Sequence, residues 1–211
     1  MLKDMGLGWI AVLALFLLVV LMFVFATPSA VAKARNTEHA SIVQILGEAR
    51  AYKANLFADR YFGAHFVETG MVAQIQAMFI PTEESKRRAT GLENFVPWVF
   101  SFAQKRIDGF WGMLYGSYKR LYLMAFMLLF SIPLVFASLV GGLIERRIVI
   151  ENKDVAKAVY FHGAKNVLSA LVLAPLFILF WPWAVDGFAW FAWFALFPMA
   201  VWVASKNVQE L

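Results

Sequence analysis

Residues 121–144, LYLMAFMLLFSIPLVFASLVGGLI, carry no charge and show no polar stripe at helical spacing. Lys119 and Arg120 close the run on one side, and Glu145, Arg146 and Arg147 on the other. At ~1.5 Å per residue such a run covers the ~30 Å of bilayer hydrocarbon. A helix on a soluble domain would show one polar face. The pattern therefore predicts a membrane-spanning helix between a long, mostly polar N-terminal half and a very apolar C-terminal half. Three more apolar runs, at 6–26, 166–185 and 188–205, bring the predicted spans to four. The first exceeds the ~7–15 residues of a signal-peptide core, which predicts an uncleaved anchor. Small residues within 26–32 keep a cleaved signal peptide as the rival. Asp186 and Gly187 make a tight turn between the last two spans, ringed by Trp181, Trp183, Trp190 and Trp193, so the turn is expected at headgroup level.

The polar half reads as helices. Pro28 stops the first span. From Thr37, Ile42, Ile45, Leu46, Ala49, Tyr52 and Leu56 fall near one face, with Glu38, Glu48 and Lys53 off it. Gly63 and Gly70 punctuate a second apolar-periodic stretch at 66–80. Residues 81–91 read as a loop with Lys86, Arg87 and Arg88 at its tip. Thr90 and Glu93 have capping-box spacing ahead of a helix that runs through Lys119 into the central span. Beyond that span, Asp154 could cap a surface-lying amphipathic helix with Val155, Ala158, Val159 and His162 on one face. The expectation is an all-α integral membrane protein with four transmembrane helices: an anchor at 1–26, a long polar helical segment at 27–120, the central helix at 121–144, a basic linker at 145–165, and a transmembrane hairpin with a short tail at 166–211.

Composition agrees. The chain is 62% hydrophobic and 16% charged, against ~45–50% and ~25% for soluble domains. The absence of Cys removes disulfides, thiolate metal sites and Cys nucleophiles. The net charge of +5 is scattered in ones, twos and one triplet. Anionic lipid headgroups are thus a simpler partner than nucleic acid, with Arg146, Arg147, Lys153 and Lys157 as the candidate contacts. The basic density of this short linker places the termini in the cytoplasm and residues 27–120 in the periplasm.

Two stripes of small residues are candidate interfaces. Gly109, Gly112 and Gly116 recur at spacings of three and four, and Ala137 with Gly141 and Ser138 with Gly142 are each four apart. Such spacing lets helices approach closely in lipid. Pro133 is expected to kink the central helix, with Ser131 bonding a freed carbonyl.

Catalytic chemistry is not visible. His65 and Glu68 are three apart, but two ligands fall short of the three or four zinc takes. No Gly-rich phosphate loop, HExxH or GxSxG pattern is present. The spans are nearly free of the ionisable groups an ion pathway needs. Asp186 is explained by its turn. The expectation is a non-enzymatic protein without cofactor or metal that binds other membrane proteins. A lipid-handling protein and a small transporter are the rival readings.

Several features together resemble a known family: the apolar anchor, the Pro-Thr-Glu-Glu-Ser-Lys-Arg-Arg stretch at 81–88, the Gly-Gly-Leu-Ile-Glu-Arg-Arg end of the central span, the Trp-Pro-Trp hairpin, and GGLIERRIVIENKDVAKAVY at 141–160. This is the small inner-membrane protein family of integrating conjugative elements and related plasmids, encoded beside the coupling ATPase of type IV secretion. The resemblance implies an accessory role in conjugative DNA transfer, with the coupling ATPase or other membrane subunits as partners. It implies neither functional residues nor direct contact with DNA.

Overall fold

A computed structural model describes residues 9, 12–14, 16, 17, 20, 27–79, 96–151 and 158–208. The predicted loop at 81–91 and the capping box at 90–93 lie outside the described residues. So does most of the anchor, whose described positions are helical. Among the described residues the chain is all helical. Its elements are α1 (Pro28–Leu46), α2 (Glu48–Phe62) continued by a π-helical turn (Gly63–Val67), α3 (Met71–Phe79), α4 (Val96–Glu151), α5 (Ala158–Leu179) and α6 (Gly187–Lys206). They form two compact units, Met1–Tyr122 with Ile178–Val185, and Leu123–Phe177 with Asp186–Leu211.

In the first unit, α1 starts earlier than the apolar pattern from Thr37 implied. Thr27 caps it, accepting from the Ala30 amide, and Pro28 takes the first turn, where its missing N–H costs nothing. Gly47 ends it at φ +82°, a left-handed conformation that favours glycine, and the chain turns back into α2. The face expected across 42–56 is therefore not one helix face. Ile42 is buried, but Tyr52 and Leu56 are 66% and 55% exposed, and α2 buries Ala51, Ala54 and Ala58 instead. Alanines at this spacing let the arms of a hairpin come close. Gly63 does not break α2, and the turn falls at Gly70, φ +73°.

The hairpin flanks the N-terminal part of α4. Val31 packs on Gly112 and Met113, Arg35 lies over Tyr115, and Glu38 meets Arg120, so α1 runs parallel to α4. Phe57 meets Tyr122, Asp59 meets Tyr115, and Phe66 meets Trp111, so α2 runs antiparallel to it. Phe62 and Phe66 make edge or tilted contacts with Trp111, Tyr115 and Tyr118, the geometry ring quadrupoles favour.

In the second unit, α5 and α6 are joined by a hydrogen bond from Trp193 Nε1 to the Leu171 carbonyl, 2.8 Å. On α4, Gly142 lies under Ser205 and Trp202, and Glu145 pairs with Lys206 at 2.6 Å. Asp186 caps α6 by accepting from the Phe188 amide, and the connection between α5 and α6 is the segment 180–186 rather than a tight turn at Asp186 and Gly187. Trp181 and Trp183 are exposed, with ring centroids 5.1 Å apart, but Trp190 and Trp193 are buried. The ring of four is thus two: three residues apart on α6, the other pair shares an inward side.

Helix α4 is 56 residues long and unbroken at Pro133. Ser131 bonds the Leu128 carbonyl, whereas the carbonyl deprived of its partner by Pro133 belongs to Leu129. Residues 145–151 continue α4, and 158–165 are the first turns of α5; 152–157, with Lys153, Asp154, Val155 and Lys157, lie outside the described residues. Among the described residues three stretches, Trp98–Glu151, Tyr160–Leu179 and Gly187–Lys206, are long and apolar enough to cross a membrane. The protein itself leaves most of each apolar window uncovered, as a lipid-facing surface requires.

Candidate functional site

The charged centre of the first unit begins with the spacing of α1. Val31, Glu38 and Ile42 are its buried residues. Seven and then four residues apart, they share one face, so a carboxylate sits where a helix normally places an apolar side chain. On α4, Ser117, Lys119 and Arg120 are also buried.

Glu38 and Arg120 form an ion pair of 2.7 Å, each side chain 7% exposed. The pair is bidentate: Nε and Nη2 of Arg120 both donate to the carboxylate. Nη1 donates to the carbonyls of Ile178 (3.1 Å) and Trp181 (2.5 Å), and Nη2 also to Trp183 (2.8 Å). All five guanidinium N–H groups thereby have partners. Ser117 Oγ donates to the Leu179 carbonyl at 2.8 Å, and the Val185 amide approaches Glu38 at 3.4 Å. The last carbonyls of α5 have no partners within their own helix. A cation placed there meets them and the negative end of the helix dipole. The clasp fixes the stretch Ile178–Val185 to α1 and α4.

Around it, Arg35 stacks 4.4 Å from the Tyr115 ring centroid, and Tyr115 donates to Asp59 at 2.6 Å. A cavity of about 20 Å³, open on one side, is lined by Arg35, Glu38, Gly116, Lys119, Arg120 and Trp181 among others. Lys119 makes no hydrogen bond or ion pair among the described residues. His65 Nδ1 lies 2.9 Å from the Tyr118 hydroxyl rather than sharing a ligand with Glu68.

The small-residue stripes are largely covered by the chain itself. A Cβ on Gly112 would come 2.9 Å from Val31, and one on Gly142 would overlap Ser205 and the Trp202 carbonyl. Gly109 and Gly116 are buried. A Cβ on Gly141 would come 3.8 Å from Trp202, Ser138 is half-buried, and Ala137 is exposed. Arg147 is exposed and Arg146 half-buried.

A family model described as IncC plasmid conjugative DNA transfer protein DtrJ-like matches residues 27–209. The chain belongs to the DtrJ-like family. Membership makes it a conjugative DNA transfer protein and agrees with the resemblance carried by residues 81–88 and 141–160. No curated protein and no solved structure matches the chain. The DtrJ-like match takes in every element from α1 to α6, and so the whole clasp. Sequence reasoning missed that clasp because it started the first helix at Thr37 and set Glu38 on the solvated face. Begun at Pro28, the same pattern puts Val31, Glu38 and Ile42 together, and a carboxylate on an apolar face calls for a buried cation.

Proposed function

We propose that this DtrJ-like protein is a non-enzymatic accessory subunit of a conjugative type IV secretion machine in the bacterial inner membrane. It works through helix–helix contacts with membrane partners, foremost the coupling ATPase's transmembrane segment. The observation that carries this reading is the family match over 27–209, together with three helices apolar enough to cross a membrane. In this reading 6–26 is a fourth span, the termini are cytoplasmic, residues 27–120 are periplasmic, and Arg146, Arg147, Lys153 and Lys157 contact anionic headgroups.

The buried charges support a structural role over a transport one. Arg120 and Glu38 are engaged with each other and with the turn after α5. Gly112 and Gly142 are covered by α1 and α6. The partner face is therefore the exposed side of α4 around Ala137, where Phe130, Val140 and Ile144 are also exposed. Affinity purification of the tagged protein in mild detergent should recover the coupling ATPase. Ala137→Leu should abolish recovery at wild-type abundance, because a bulky side chain there blocks close approach without touching the internal packing. Recovery unchanged by Ala137→Leu would remove this interface, and failure of the wild type to recover any conjugation subunit would remove the accessory reading.

A further inference from the structure

Lys119 is 6% exposed and lines the open cavity without a hydrogen-bond or ion-pair partner among the described residues. An ammonium carried on a buried side chain is costly to leave without a counter-charge, and an anion in the cavity would supply one. The charged groups within electrostatic reach are Arg35, Arg120, Glu38 and Asp59. Glu38 is taken by Arg120 and Asp59 by Tyr115. Lys119 and the exposed Arg35 are therefore the cations left to face the cavity. Residues 121–144 begin immediately after, so the cavity opens where α4 enters its uncharged run. Trp181, 42% exposed, stands at its edge, in the setting that headgroup-level tryptophans occupy.

We propose that this cavity receives one phosphate oxygen of an anionic membrane phospholipid, with Lys119 and Arg35 as the phosphate's contacts. A space of about 20 Å³ is too small for a headgroup but admits one non-bridging phosphate oxygen. That oxygen reaches Lys119 while the rest of the phosphate stays at the mouth beside Arg35. The excess of cations over anions at the site disfavours a zwitterionic headgroup, whose ammonium would meet the same charges. This site is separate from the headgroup contacts of the linker after α4, and it stands whether or not the coupling ATPase is the partner.

The test is native mass spectrometry of the full chain in mild detergent, titrated with phosphatidylglycerol or with phosphatidylcholine of the same acyl chains. The wild type should retain one phosphatidylglycerol in preference to phosphatidylcholine. Lys119→Met and Arg35→Gln should each weaken that binding about tenfold or more, the scale of one lost charge-assisted hydrogen bond. Arg35 is exposed, so Arg35→Gln decides the matter even if Lys119→Met fails to accumulate. Three results would overturn the proposal: equal retention of both lipids, unchanged binding in Arg35→Gln, or displacement of the lipid by millimolar inorganic phosphate, which would make the site one for the free ion.

Discussion

Replacing Arg120 with Met isolates what the clasp contributes. The substitution keeps most of the side-chain volume and removes five N–H donors. It leaves the Glu38 carboxylate buried without its cation, and the carbonyls of Ile178, Trp181 and Trp183 without their donor. Breaking one side of a buried pair costs ~3–5 kcal/mol. For a chain of this size each kcal/mol moves Tm by ~2–4 °C, so Arg120→Met should melt roughly 6–20 °C below wild type. Glu38→Gln should cost less, because Arg120 keeps its carbonyl partners and the dipole of α5. The double variant Glu38→Met with Arg120→Met should lose less than the sum of the single effects by at least ~1 kcal/mol, the coupling expected of contacting charges. The measurement is the fraction of monodisperse protein left after heating in mild detergent, by size exclusion. A Tm for Arg120→Met within a degree or so of wild type, or a larger loss for Glu38→Gln, would refute this account.

Gly142→Leu should prevent accumulation of folded protein, since even a Cβ there overlaps Ser205 and the Trp202 carbonyl; Gly163→Ala, in open space within α5, should instead raise Tm by ~2–4 °C, the ~1 kcal/mol that glycine costs a helix, read in the same heating assay. Asp186→Asn should transfer DNA at the wild-type rate in a mating assay, because Asn also caps helices, while Asp186→Ala should lose ~1 kcal/mol of thermal stability. Alkaline phosphatase fused at Lys86 should be active and at Asn152 inactive; the opposite pattern would invert the topology.

The elements within the membrane were legible because their signal is local. An uncharged run long enough to cross a bilayer needs no knowledge of its neighbours; α6 follows the run at 188–205 closely, whereas α4 extends beyond 121–144 at both ends and α5 begins and ends earlier than 166–185. The hairpin of α1 and α2 was harder. Its buried positions are alanines, which carry little hydrophobic signal, while exposed Tyr52 and Leu56 carry much. The stripe logic identified Gly112 and Gly142 as close-packing positions, but spacing alone does not say which helix approaches; the answers, Val31 and Ser205, lie far along the chain. The clasp was the least legible part, because its partners are 82 and about 60 residues apart. Most of its acceptors are main-chain carbonyls, which no residue type announces.

The clasp also bears on how the chain enters the membrane. Arg120 stands at the near end of the central apolar run, and its carbonyl partners lie at the end of α5 and in the turn that follows it. That turn must therefore be delivered to the same side of the bilayer as α1. A hairpin inserted upside down would leave the turn on the opposite face, some 30 Å of hydrocarbon away. Glu38 and Arg120 would then keep the guanidinium's other donors unmatched and the end of α5 uncapped. Misinserted copies would thus differ from correct ones by the whole clasp.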